Sequence, residues 1–357
     1  MFNLNRYMDD GIKDIVDTAR RYYPRSPRGL AFTASFLPKS LEAAKKRNRS
    51  EENGLHIPPF LIASITSSCN LHCPGCYARA EGICSDQKPD GELDTDAWEK
   101  IFKEAEEIGI SFILLAGGEP LMNRPVLEKA AAHKGIAFPV FTNGMLMDEQ
   151  TIDFFDQNRN MIPVFSLEGT DTQTDRRRGE GTAKKINDAC SSLNDRKILY
   201  AVSYTLTSEN YREAASDANI NALRANGCGC VFLIEYVPVD PGADYLMLDS
   251  NALLWLFEQS EKLKKRYQDT IILSFPGDEE AMGGCLAAGR GFFHINPSGA
   301  AEPCPFSPYS KQNVMESGLL GALQSDYFRK VREIGSRTSH TGGCTLFQAE
   351  NEVREIS

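Results

Sequence analysis

The chain has 357 residues, 41% hydrophobic and 25% charged, which suits one large folded unit with an appendage, or two units. A net charge of −10 argues against a general nucleic-acid binder. No run of 18 apolar residues spans a membrane, and the first ten residues lack the basic-then-apolar layout of a signal peptide. Ten cysteines in such a chain point to a reducing compartment, the cytoplasm, where thiols bind metal or stay free.

Residues 1–58 read as an N-terminal helical extension. The apolar spacing of Ile12, Ile15, Val16 and Ala19 predicts a helix over 5–23, broken by Pro24, Pro27 and Gly29. A second helix, 37–49, is basic through Lys39, Lys45, Lys46, Arg47 and Arg49. It reads either as the solvated face of a docking helix or as a surface for an acidic partner, an anionic substrate or a lipid headgroup.

From Phe60 the pattern alternates. Apolar runs at 60–65, 111–116, 137–141, 161–166, 198–204, 230–236 and 271–275 predict buried strands. Segments of helical period separate them at 95–108, 124–134, 148–158, 183–193, 210–226 and 251–267. Strands joined through helices imply right-handed crossovers and a parallel sheet, either open and doubly wound or closed toward a barrel. In both, chemistry gathers at the C-terminal strand ends.

The first such end carries Thr66-Ser-Ser-Cys69-Asn-Leu-His-Cys73-Pro-Gly-Cys76-Tyr77, three cysteines spaced C-x3-C-x2-C. The loop offers a metal centre three thiolates and no evident fourth, whereas structural zinc and simple iron–sulfur carriers use four protein ligands. His72 reads as a spacer in this loop. The next strand ends in Gly117-Gly118-Glu119-Pro120, where paired glycines allow close backbone approach and a carboxylate suits an ammonium group.

The cysteine spacing, followed one strand–helix unit later by Gly-Gly-Glu-Pro, resembles the signature of the radical S-adenosylmethionine (radical SAM) superfamily. The resemblance covers roughly residues 60–350 and implies a partial (β/α)6 TIM-like barrel over 59–275, with an auxiliary-cluster extension over 276–357. It implies a [4Fe-4S] cluster on Cys69, Cys73 and Cys76 whose open iron binds the cofactor. It also implies cofactor contacts from Tyr77, from Gly117, Gly118, Glu119 and Pro120 at the methionine amino group, from Thr142 and Asn143, and from Ser166 and Glu168 at the ribose. Asp175-Arg-Arg-Arg178-Gly179-Glu-Gly181-Thr182 resembles a D-x-x-R-G-x-G-T segment of this group and nominates Arg178 for the cofactor carboxylate. Tyr236 is a candidate for the adenine. The aromatic residue that many members place before the third cysteine is Gly75 here.

The later cysteines form a second set. Cys285, Gly299 and Cys304, spaced C-x13-G-x4-C around a hairpin at 292–303, resemble the start of SPASM and twitch extensions, and Cys344 follows alone. The resemblance implies one auxiliary iron–sulfur cluster, its fourth position open or filled by another side chain, Cys228 and Cys230 included. Buried free cysteines, or zinc held by three thiolates and water, are the other readings. His294, between the two cysteines, reads as a packed strand histidine or a ligand.

The implied activity is reductive cleavage of S-adenosylmethionine to a 5′-deoxyadenosyl radical, which takes a hydrogen atom from a peptide or small metabolite. A reductant such as flavodoxin or ferredoxin is the implied partner; nucleic acid is not. An iron–sulfur carrier without turnover, and a zinc-binding interaction protein, are the alternatives from other classes.

Overall fold

Seven short runs rich in branched and aromatic residues form parallel strands that lie side by side in chain order: β1 (Phe60–Ser64), β2 (Phe112–Ala116), β3 (Phe138–Thr142), β4 (Met161–Leu167), β5 (Tyr200–Leu206), β6 (Cys228–Glu235) and β7 (Ile271–Phe275). Two further strands extend the β1 edge. β8 (His294–Ile295) pairs with β1 in parallel, and β9 (Ala301–Glu302) pairs with β8 antiparallel. The computed structural model describes Leu4, Met8 and residues 11–13, 15–18, 26–87, 90–240, 242–276, 283–340 and 344–357.

From residue 26 on, the helices among the described residues are α1 (Pro27–Glu52), α2 (Tyr77–Ala80), α3 (Thr95–Ile108), α4 (Arg124–Ala132), α5 (Glu149–Gln157), α6 (Asp171–Arg178), α7 (Thr182–Asp195), α8 (Tyr211–Ala214), α9 (Asp217–Ala225), α10 (Ser250–Arg266), α11 (Val314–Leu323), α12 (Asp326–Arg337), α13 (Thr345–Gln348) and α14 (Glu350–Glu355). Among the described residues no helix is long and apolar enough to cross a membrane.

Strands added always on the same side, through right-handed crossovers, put their helices on one face and curl the sheet. The burial pattern records that curl. Leu61, Ile113, Leu115, Val140, Phe165, Val231 and Leu233 are buried beneath helices, whereas the alternate residues Ile62, Leu114, Phe141, Ser166, Phe232 and Ile234 stay half-buried. Phe141 on β3 and Phe232 on β6, three strands apart, bring their ring centroids to 5.3 Å. That contact crosses the inside of a partial barrel. The sheet class matches the expectation; among the described residues β1–β7 and β8 run parallel, where the resemblance implied six strands.

Two helix boundaries differ from the sequence reading. The second helix starts earlier than the expected 37: Pro27 and Gly29 lie in the first turn of α1, where Ser26 Oγ accepts from Gly29 N at 3.1 Å. Proline suits that position because its missing N–H has no helical partner there. Helix 210–226 is two pieces, because Ser216 caps α9 by accepting from Asn219 N at 3.1 Å. The helix expected over 5–23 lies largely outside the described residues; its positions 11–13 and 15–18 are helical.

Helix α1 closes the N-terminal end of the barrel. Phe36 meets Phe32 at 5.2 Å and the β2 residue Phe112 at 6.4 Å. Part of its basic run is used internally. Arg47 is buried and donates to Gly109 O at 2.7 Å and Ser111 Oγ at 3.0 Å, and Lys46 Nζ reaches Glu106 O at 3.2 Å, so both satisfy the C-terminal end of α3. Lys39, Lys45 and Arg49 remain exposed.

Candidate active site

The cysteine loop leaves β1 at the open, C-terminal mouth and is pinned from several sides. Gly118 N donates to Thr66 O at 2.7 Å and Glu119 N to Ser68 O at 2.8 Å, so the Gly-Gly-Glu segment runs directly beside the loop. Glu92 accepts from Ser67 N at 2.6 Å. Arg79 donates to Leu71 O at 3.0 Å, to Cys69 O at 3.3 Å and to Asp86 Oδ1 at 2.9 Å. The paired glycines also have a local cause. A Cβ on Gly117 would stand 2.1 Å from Thr66 O, and one on Gly118 would stand 2.1 Å from Ser68 O, so it is the loop itself that approaches them.

Cys69, Cys73 and Cys76 are all half-buried on this loop. A hydrogen bond from the buried Cys84 thiol holds Cys69 down to about 6, within reach of thiolate at neutral pH. Burial pushes Cys73 up, opposed by Arg178 and Arg177. Thiolate is the form that binds iron, and three soft donors on one short loop under two guanidinium groups suit an iron–sulfur cluster. Among the described residues neither cysteine set closes into a single-ion cage.

Around the loop the nominated residues divide. Glu119 is 1% exposed and already accepts from Thr142 Oγ1 at 2.7 Å, Asn143 N at 2.8 Å and Leu121 N at 3.1 Å. Burial raises it to about 7 despite those donors. Its carboxyl and Thr142 tie the end of β2 to the end of β3, and Pro120 starts the turn that follows. Asn143 reaches the loop, donating to Asn70 Oδ1 at 2.8 Å with Cys69 Sγ 4.0 Å away.

Ser166 faces the barrel interior, in register with Ser203. Glu168 is 3% exposed and carries two arginines: Arg177 Nη1 at 2.8 Å and Arg178 Nη2 at 2.6 Å from Oε1. Arg177 also donates to Pro74 O at 3.1 Å and Gly75 O at 3.4 Å, so it, rather than Arg178 alone, clamps the cysteine loop. The run of three arginines did not distinguish them, because only the turn of α6 decides which faces inward; Arg176 points out, 3.8 Å from Glu209. Asp175 caps α7, accepting from Ala183 N at 2.8 Å.

Tyr236 fills the space beside Gly75, where an added Cβ would stand 3.1 Å from its ring. Its buried hydroxyl makes no hydrogen bond among the described residues. An aromatic ring thus stands near the third cysteine, supplied by the β6 end. Tyr77 turns elsewhere, its ring edge-on to Phe306.

The second cysteine set converges. Cys285, Cys304 and Cys344 line one cavity with Glu235 and with apolar walls from Val237, Phe275, Phe292 and Phe306. All three are buried, and the Cys304 thiol, hydrogen-bonded to Cys344 in a dry site, is pushed far above its usual range. The cavity is small, about 10 Å³, room for about one water. Three soft donors in an apolar shell fit a cluster whose entry parts them. Neither alternative expected for the fourth place lies here. Cys228 and Cys230 begin β6, the strand that Glu235 ends, and five residues of strand span about 16 Å. His294 is held in the sheet, Nδ1 at 2.7 Å from Glu302 Oε2 and Nε2 at 2.8 Å from Ser64 Oγ.

A partial parallel barrel with a thiol loop at its mouth, clamped by arginines and by a Gly-Gly-Glu strand end, defines a barrel enzyme built around a metal–sulfur centre. Residues 63–219 match the Radical SAM superfamily, and the chain is a radical SAM enzyme. It is 25% identical over 313 residues to the AdoMet-dependent heme synthase of Methanosarcina barkeri (strain Fusaro / DSM 804), covering 80% of this chain and 88% of that one. It is likewise 25% identical over 329 residues to the mycofactocin maturase MftC of Mycobacterium ulcerans (strain Agy99), covering 82% and 84%. In fold it resembles Streptococcus suis SuiB bound to S-adenosylmethionine, with a TM-score of 0.67 at 17% identity over 85% of this chain and 77% of that one.

Proposed function

We propose that the protein reductively cleaves S-adenosylmethionine at a cluster on Cys69, Cys73 and Cys76 and uses the radical to take a hydrogen atom from a peptide or small metabolite. The observation that carries the reading is the pairing of Gly118 and Glu119 with Thr66 and Ser68, which sets the two most specific motifs side by side. When bound, the cluster and cofactor supply the one-electron chemistry. The chain's own residues orient and shield them. Asn143 and Arg177 fix the loop, Glu168 keeps both guanidinium groups aimed at it, and Tyr236 covers the side of Gly75. One lone-pair direction of Glu119 is left for an ammonium group.

Residues 276–357 are read as an auxiliary extension with one cluster on Cys285, Cys304 and Cys344, and 1–58 as the helical segment that closes the barrel floor. Free thiols and a reduced centre suit the cytoplasm, with flavodoxin or ferredoxin as reductant. A peptide substrate is supported by the maturase likeness and by PqqA peptide cyclases, one from Bradyrhizobium diazoefficiens being 26% identical over 289 residues. A tetrapyrrole is the second reading, supported by the heme synthase likeness and by the half-buried apolar barrel lining of Phe141, Phe232 and Ile234.

The test is anaerobic reconstitution with iron and sulfide, then reduction with S-adenosylmethionine present. 5′-Deoxyadenosine is expected, and is expected to vanish in Cys73→Ala. Its absence from protein with a filled first cluster would overturn the reading.

A further inference from the structure

We infer that Glu235 is the fourth ligand of the second cluster and that His340 positions its carboxylate. The inference rests on the reading that Cys285, Cys304 and Cys344 hold an iron–sulfur cluster, and it changes what that cluster can do.

Three thiolates leave one iron of a four-iron cluster without a protein ligand. Among the described residues that line the cavity shared by the three cysteines, Glu235 is the one with a side-chain oxygen. It ends β6 and is 3% exposed, and apart from the cysteines the other lining residues are apolar. His340 lies 3.2 Å from Oε2 and 3.3 Å from Oε1, four residues before Cys344. That is the arrangement by which an outer partner orients a ligating group. Carboxylate is a regular iron ligand in proteins. Cys228, Cys230 and His294 are out of reach or already committed, as described above.

A cluster closed by Glu235 has no vacant iron for a substrate to bind. Its remaining role is electron transfer, with the substrate bound by the barrel interior.

The test uses the full chain carrying Cys69→Ala, Cys73→Ala and Cys76→Ala, so that only the second site loads. After reconstitution, about four irons per chain are expected from the three-thiolate reading. Reduced protein is then treated with ¹³C-cyanide and examined by electron–nuclear double resonance. No ¹³C coupling is expected in this parent, and clear coupling is expected once Glu235→Ala is added. His340→Ala is expected to show coupling only at higher cyanide than Glu235→Ala needs. Should Glu235→Ala lose its iron, Glu235→Cys must restore four irons and exclude cyanide; failure of both variants to hold iron overturns the assignment. Coupling in the parent, or none in an iron-loaded Glu235→Ala, overturns it too. A parent without iron overturns the cluster reading itself, which separates the two failures.

Discussion

The ring of Tyr77 meets the ring of Phe306 edge-on, centroids 4.8 Å apart at an interplanar angle of 61°. Tyr77 directly follows Cys76, and Phe306 lies two residues beyond Cys304, so one aromatic contact joins the two cysteine sets. The Tyr77 phenol is pushed well above its ordinary range by burial, with Cys76, Glu81 and Cys304 adding to the shift. Edge-to-face pairs contribute about 0.5–1.5 kcal/mol beyond their buried area. Phe306 is half-buried, so Phe306→Ala is expected to cost roughly 2 kcal/mol. Anaerobic guanidinium unfolding of the iron-free protein measures this. Tyr77→Phe, which keeps the ring, is expected to fall within about 0.5 kcal/mol of wild type, and an equal loss in both variants would sink the claim that the ring contact matters.

Gly118→Ala should be far more damaging than a helix-surface glycine substitution. Its Cβ would meet Ser68 O at 2.1 Å and Ser67 O at 2.8 Å, both backbone atoms that cannot swing away. The expected cost is about 2–3 kcal/mol or more, accompanied by loss of iron from the first site, because the displaced strand is the one that leads into Cys69. The control is Gly54→Ala, where no atom lies within 4 Å and only the φ of +77° is strained. Iron content after reconstitution separates the two: near normal for Gly54→Ala, depleted for Gly118→Ala.

Much of this arrangement was legible in the sequence because its signals are local. Strand runs bounded by turn residues and helices with good caps, such as Asp94 before α3 and Asp148 before α5, lie almost where periodicity put them. The two motifs sit together because consecutive parallel strands are neighbours, so order along the chain becomes adjacency at the barrel mouth. What was not legible depends on rotation about a helix or on contacts distant in sequence. Arg176, Arg177 and Arg178 are chemically equal until α6 is turned, and only then does Arg177 face Pro74 and Gly75. Glu235 among Val237 and Tyr236 reads as a strand-ending residue until the cavity with Cys285, Cys304 and Cys344 forms 50 or more residues later. The basic run of α1 was ambiguous for the same reason, since Arg47 finds Gly109 62 positions away.

The placement of Tyr236 against Gly75 predicts a binding effect. If the β6 ring supplies the aromatic cover that position 75 lacks, Tyr236→Ala is expected to weaken S-adenosylmethionine binding about 5- to 15-fold, the equivalent of about 1–1.5 kcal/mol of aromatic contact. Tyr236→Phe is expected to bind as wild type or slightly better, because the hydroxyl is buried with no hydrogen-bond partner among the described residues. Calorimetric titration of the reconstituted protein reads both. Unchanged affinity in Tyr236→Ala would remove the ring from the cofactor site.

Glu81 sets a pH dependence of stability. Burial raises its carboxyl from the usual carboxylate range to about 7, and Glu302 and Glu350 nearby add to the shift; one of its oxygens is buried with no hydrogen-bond partner. A carboxyl raised in the folded state binds its proton more tightly there than in the unfolded chain. Its contribution is therefore fully present below about pH 4.5, the ordinary value, and is lost as pH rises through about 7. The carboxyl is partly exposed, so solvent screening reduces the effect to roughly 1–2 kcal/mol. Glu81→Gln removes the titration. Urea unfolding of the iron-free protein at pH 5 and pH 8 is expected to give the variant a stability close to wild type at the lower pH and greater than wild type at the higher. A wild type and variant that lose stability in parallel over this range would show that Glu81 does not carry the dependence.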